Sequence, residues 1–159
     1  AAGKANGAAG VVARAGLNAR TVAVGQACHT VLKINGSAHS AGTSIQKGKR
    51  MAYLYRKSDC ADTNTNFDYI ADDLPLQAAE LPGVVVSTNL GAADSLSTLI
   101  VYHCDAAGLC GNYTVWQSSG GGYSMVSAPS SGLLVTFDVG GGGGVRSVLF
   151  PPAGSPRVQ

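Results

Sequence analysis

The sequence predicts an all-β fold: an antiparallel two-sheet sandwich or jelly roll of about eight strands, with an extended N-terminal arm. The arm covers residues 1–20 and the β-domain residues 21–159. Three observations carry this expectation. Glycine is 22 of 159 residues, about twice ordinary usage, and it costs about 1 kcal/mol per helix-interior position relative to Ala. Charged residues are only 13%, which excludes a charge-rich coiled coil and a highly charged disordered chain. Short β-branched runs alternate with Gly, Pro, Asn and Ser clusters along most of the length.

The elements follow in order. Residues 1–20 combine Ala, Gly and Asn with Lys4, Val11, Val12, Arg14, Leu17 and Arg20, and hold no acid. Leu and Val are too sparse there to mark an amphipathic face, so the segment reads as an extended arm. Thr21 to Gly25 and Cys28 to Ile34 are β-branched and read as strands, the second ended by Asn35-Gly36. Arg50 to Arg56 alternates Met51, Tyr53 and Tyr55. A short helix is expected over Leu76 to Glu80. Val84 to Thr88 follows Pro82-Gly83 as a strand. Ser97 to Cys104 and Asn112 to Gln117 flank a turn and predict a hairpin. Tyr123 to Ser127 comes next. Leu133, Val135, Phe137 and Val139 then alternate as in a half-buried strand. Gly140 to Gly144 connects it to Val145 to Phe150, and Pro151-Pro152 ends that strand. Neither βαβ alternation nor an internal repeat is visible.

Cys28, Cys60, Cys104 and Cys110 allow three pairings. Cys104 and Cys110 flank Gly108, so a local bridge across a turn is expected, with Cys28 and Cys60 closing a longer loop. A metal site is disfavoured: no C-x-x-C pair occurs, and His29 and His103 adjoin cysteines without ligand spacing. Free buried thiols are the remaining alternative. The chain starts at Ala1, as a processed mature form does, and no apolar run has the length of a membrane helix. These points favour an extracellular, cell-surface or virion setting. Asn35 and Asn112 open N-x-S/T sequons and are glycosylation candidates in a secreted eukaryotic protein.

The charges are sorted by sign. Nine bases precede Ser58 with no acid among them, from Lys4 to Lys57. Nine acids then run from Asp59 to Asp138 with no base between, before Arg146 and Arg157. Such asymmetry suits an electrostatic partner. A second copy fits, its acidic middle meeting a basic end. A nucleic acid fits less well, since three arm cations and no arm aromatics make a poor phosphate and base platform. The bland alternative is neutralisation inside one folded chain.

Four candidate sites remain. Asp62, Asn64, Asn66 and Asp68 place oxygens at every second position, with Asp73 beyond, a spacing that partly suits Ca²⁺. Phe67 stands where a tight turn wants Gly, and Asx turns explain the same residues. His29 or His103 would have to serve any nucleophilic chemistry, because His39 is the only other histidine. Tyr113, Trp116 and Tyr123 offer a glycan platform, with packing as the alternative. Gly140 to Gly144 lacks the Lys-Ser/Thr and following helix of a phosphate loop, so it reads as a hairpin connection.

The leading functional expectation is a non-enzymatic structural subunit that needs no cofactor. It would self-associate in a viral or virus-like shell, a surface filament or an extracellular matrix element. The arm, anchored by Val11, Val12 and Leu17, would cross to a neighbour and add a strand to its sheet edge. The alternatives are a secreted carbohydrate-binding module, Ca²⁺-assisted at Asp62 to Asp68, and a small secreted hydrolase.

Overall fold

A computed structural model describes residues 3–35, 52–57, 59–60, 72–74, 84–90, 98–111, 114–119, 122–127, 129–140, 142–152 and 154–159. The chain is mostly strands in two antiparallel sheets, with one N-terminal helix. The all-β expectation is therefore corrected, as is the extended arm. Helix α1 runs over Gly3–Gln26 and takes in both the arm and the strand expected at Thr21 to Gly25.

Alanine explains the difference. Ala5, Ala8, Ala9, Val12, Gly16, Ala19 and Ala23 recur at spacings of three and four, and all are buried. They form a continuous inward face made of small side chains. Alanine is the best helix former, and its methyl groups let the helix backbone approach a sheet closely. The β-branched Thr21, Val22 and Val24 are carried along, because packing of Ala19 and Ala23 outweighs their weaker helix propensity.

Neither helix end is held by charge: the first turn has no acid and the last turn no base. Other parts of the chain close both ends. At the start, the Ala5 amide donates to the Gly143 carbonyl (3.1 Å), in the glycine-rich connection. Gly142 and Gly144 hold φ of 87° and 85° there, a conformation that favours glycine. At the other end Ala27 is left-handed (φ 51°), and the Cys28 amide donates back to the Ala23 carbonyl (3.1 Å), a Schellman arrangement.

The larger sheet contains β1 (Thr30–Asn35), β2 (Ala52–Arg56), β3 (Asp72–Leu74), β5 (Thr98–Cys104), β6 (Cys110–Gly111), β7 (Thr114–Ser119) and β8 (Gly122–Ser127). Its order is β3-β2-β1-β5-β7-β8, with β6 paired to β5. The smaller sheet contains β4 (Val84–Thr88), β9 (Leu133–Val139), β10 (Gly144–Phe150) and β11 (Arg157–Val158), in the order β11-β10-β9-β4. The expected β5–β7 antiparallel pair is present, with Leu99 opposite Gln117. So is the hairpin across the glycine run, with Gly144 opposite Val139 and Phe150 opposite Leu133. The helix expected over Leu76 to Glu80 lies outside the described residues.

One core joins the helix to both sheets. The alanines of α1 pack with Leu32 and Leu54 of the larger sheet and with Phe137, Val148 and Phe150 of the smaller. Strand β9 buries Leu133, Val135, Phe137 and Val139 and leaves the intervening residues more exposed, as its alternation predicts. Buried Thr30 donates its hydroxyl to the Ala19 carbonyl (2.8 Å), which satisfies both groups and fixes β1 to the helix. Gly16 meets Pro156 so closely that a Cβ would overlap the proline Cγ. The C-terminal segment is thereby seated on α1.

Candidate functional site

The outward face of α1 is the first candidate. It exposes Lys4, Arg14 and Arg20 and no acid. Leu17 and Val24, two turns apart on that face, are 47% and 58% exposed. Val11 and Val12, expected as anchors in a neighbour, are buried in the chain's own core, and that expectation is corrected. A helix with its inner half in the core cannot add a strand to a neighbouring sheet, so that mode of association is withdrawn as well. Leu17 remains available to a partner. A shallow groove of ≈ 510 Å³ lies near the end of this face, lined by Arg20, Thr21, Val24 and Gly25.

The loop after β5 sits beside that groove. The disulfide Cys104–Cys110 closes it. Asp105 Oδ1 accepts the amides of Ala107 and Leu109 (both 2.9 Å), and the Asp105 amide donates to the Leu109 carbonyl (2.9 Å). Gly108 takes φ of +83° and lies directly against Val24 of the helix, where a Cβ would overlap Val24 Cγ2. Leu109 comes next and is 74% exposed. The loop is thus tightly tied at its base and presents an apolar side chain at its tip.

The second candidate is a histidine pair. His29 Nδ1 and His103 Nε2 are 3.1 Å apart, with ring centroids 5.3 Å apart and planes inclined by 14°. The centroid distance is close to the N···N distance plus the two ring radii. The nitrogens therefore face each other nearly along the line of centres, in the geometry of an N–H···N hydrogen bond. Two imidazoles chelating one ion would instead converge on a point off that line. Each histidine adjoins a cysteine: His29 follows Cys28 and His103 precedes Cys104. Strand register explains the meeting, since β1 pairs with β5 through Thr30 opposite Cys104 and Val31 opposite His103. The Lys57 amide donates to the His29 carbonyl (3.0 Å) and Lys57 is buried. Burial pushes His103 down to about 4; the His29 and Lys57 charges push the same way and Asp105 opposes them. At neutral pH His103 is an uncharged imidazole. The flanking sulfurs belong to disulfides and supply no thiolate nucleophile.

Both expected disulfides are present: Cys28–Cys60 and Cys104–Cys110. Such bonds form and persist in an oxidising compartment. The other expected sites are mostly outside the described residues. That holds for Asp62, Asn64, Asn66, Asp68, Asn112 and Tyr113. Asp73 lies on β3, opposite Tyr55 of β2, and Asn35 ends β1 opposite Thr98. Among the described residues no three His, Cys, Asp or Glu side chains gather as metal ligands. No helix among the described residues is long and apolar enough to cross a membrane.

No protein-family model, curated protein or solved structure matches the chain. The functional reading therefore rests on the molecule's own surfaces.

Proposed function

We propose that this chain is a non-enzymatic structural subunit that self-associates outside the cell, in a shell, a surface filament or a matrix element. The observation that carries the reading is the outward face of α1. It sets Arg14 and Arg20 beside exposed Leu17 and Val24 with no acid on the helix. Large apolar side chains rimmed by charges of one sign suit a protein partner. The acids come later in the chain, and of those described Asp59 and Asp138 are exposed. A second copy of the chain supplies both the apolar surface and the opposite charge. Two disulfides suit a subunit that works outside the reducing cytosol.

Sedimentation velocity on the purified, oxidised full chain tests this over a range of concentrations at low and high salt. Association that rises with concentration and weakens with salt is expected. The double variant Arg14→Glu/Arg20→Glu should weaken it about tenfold or more. A monomer at every concentration and salt would overturn the reading.

A further inference from the structure

Resting on that self-association, we propose a specific interface: the Leu109 loop of one copy seats in the α1 groove of a second copy, and the reverse, about a two-fold axis. Three observations converge on it. Among the described residues Leu109 is the most exposed large hydrophobic side chain, yet its loop is closed by Cys104–Cys110 and braced by Asp105. A side chain already fixed in place loses little freedom on binding, which is how apolar anchors work at interfaces. The groove lined by Arg20, Thr21, Val24 and Gly25, ≈ 510 Å³ in volume, has room for a leucine side chain. Val24 touches Gly108 and also lines the groove, so anchor and receptor lie side by side on one face.

That adjacency selects the occupant. A two-fold contact requires residue i to meet j while j meets i. A surface bearing an apolar projection next to an apolar groove meets that condition with a copy of itself. The charges agree. Among the described residues Arg20 is the only charged one lining the groove, and Asp105 is the only charged residue from Cys104 to Gly111. Seating Leu109 in the partner's groove brings Asp105 towards the partner's Arg20 twice, once across each half of the interface.

The test uses the oxidised full chain in sedimentation velocity. Leu109→Asp and Arg20→Glu are each expected to weaken association about tenfold or more, with unchanged melting of the monomer, because both side chains are exposed. Asp105→Arg should weaken it similarly. Mixing Arg20→Glu with Asp105→Arg should then restore association. Every charge pair in the mixed dimer is opposite in sign, whereas each variant alone sets like charges together. Should Asp105→Arg fail to fold, Leu109→Asp and Arg20→Glu decide the matter. Association of the parent chain left unchanged by Leu109→Asp, or a mixture no stronger than its components, overturns this interface and leaves the broader reading standing. A parent chain that stays monomeric overturns both.

Discussion

Acidification should destabilise this protein through His103. An unfolded histidine titrates near 6.5, while burial and the adjacent His29 hold folded His103 down to about 4. Between those values the unfolded chain binds a proton that the folded chain refuses. Stability is therefore full above pH of about 6.5 and falls as pH drops towards about 4, where the contribution levels off. The loss over that window is about 3 kcal/mol. That is a large part of the 5–15 kcal/mol that typically holds a domain folded. The geometry gives the cause. Protonating both rings would set two N–H groups against each other at a separation of 3.1 Å, close to buried Lys57. Urea unfolding at several pH values measures the effect, with an expected midpoint loss of about 1 to 3 M across the window. Carboxylates also titrate near its lower end, so the comparison must be with His103→Gln. The difference in stability between the parent chain and His103→Gln should shrink by about 3 kcal/mol over the window. A difference that stays flat refutes the reasoning, as does a folded His103 midpoint near 6 by NMR.

Two glycines of α1 should respond in opposite directions to the same substitution. Gly7 has nothing within 4 Å of an added Cβ, so Gly7→Ala should stabilise by about 0.5–1 kcal/mol in chemical denaturation. Gly16→Ala brings the same gain in propensity but drives a methyl into Pro156, and overpacking of about 1–3 kcal/mol should dominate. Removing Cys28–Cys60, which spans 32 residues, should cost about 3–4 kcal/mol by the chain-entropy account; Cys28→Ala/Cys60→Ala melting checks it.

Strands were legible where alternation or β-branching was dense. Val84 to Thr88 and Leu133 to Val139 appear with the expected limits, and local spacing correctly paired Cys104 with Cys110. Strands β3, β6 and β11 have two or three residues, too few to show a period. The helix escaped because its inward face is built mostly of alanine, with Val12 and Gly16 among them. A search for Leu and Val periodicity passes over a repeat at positions 5, 8, 9, 12, 16, 19 and 23. The histidine pair spans 74 positions, and only strand register brings it together. A faint signal existed: each histidine adjoins a cysteine.

The helical form of the first segment changes how association must be probed. An extended arm can be deleted to ask whether assembly depends on it. Helix α1 cannot, because Ala5, Ala9, Val12, Ala19 and Ala23 are core residues packed against both sheets. Truncation would expose that core, and the aggregation of the unfolded chain would pass for a change in assembly. Folding and association are separable only by side. The inward alanines report on stability, while Arg14, Leu17, Arg20 and Val24 lie outward and can be changed with the core intact. The same division bears on the charge order along the sequence. The N-terminal segment, which carries cations and no acid, is half buried by its alanines. Its cations Lys4, Arg14 and Arg20 are therefore held on the exposed side of a helix rather than spread along a mobile tail, and a surface of fixed geometry can select a partner by shape as well as by sign.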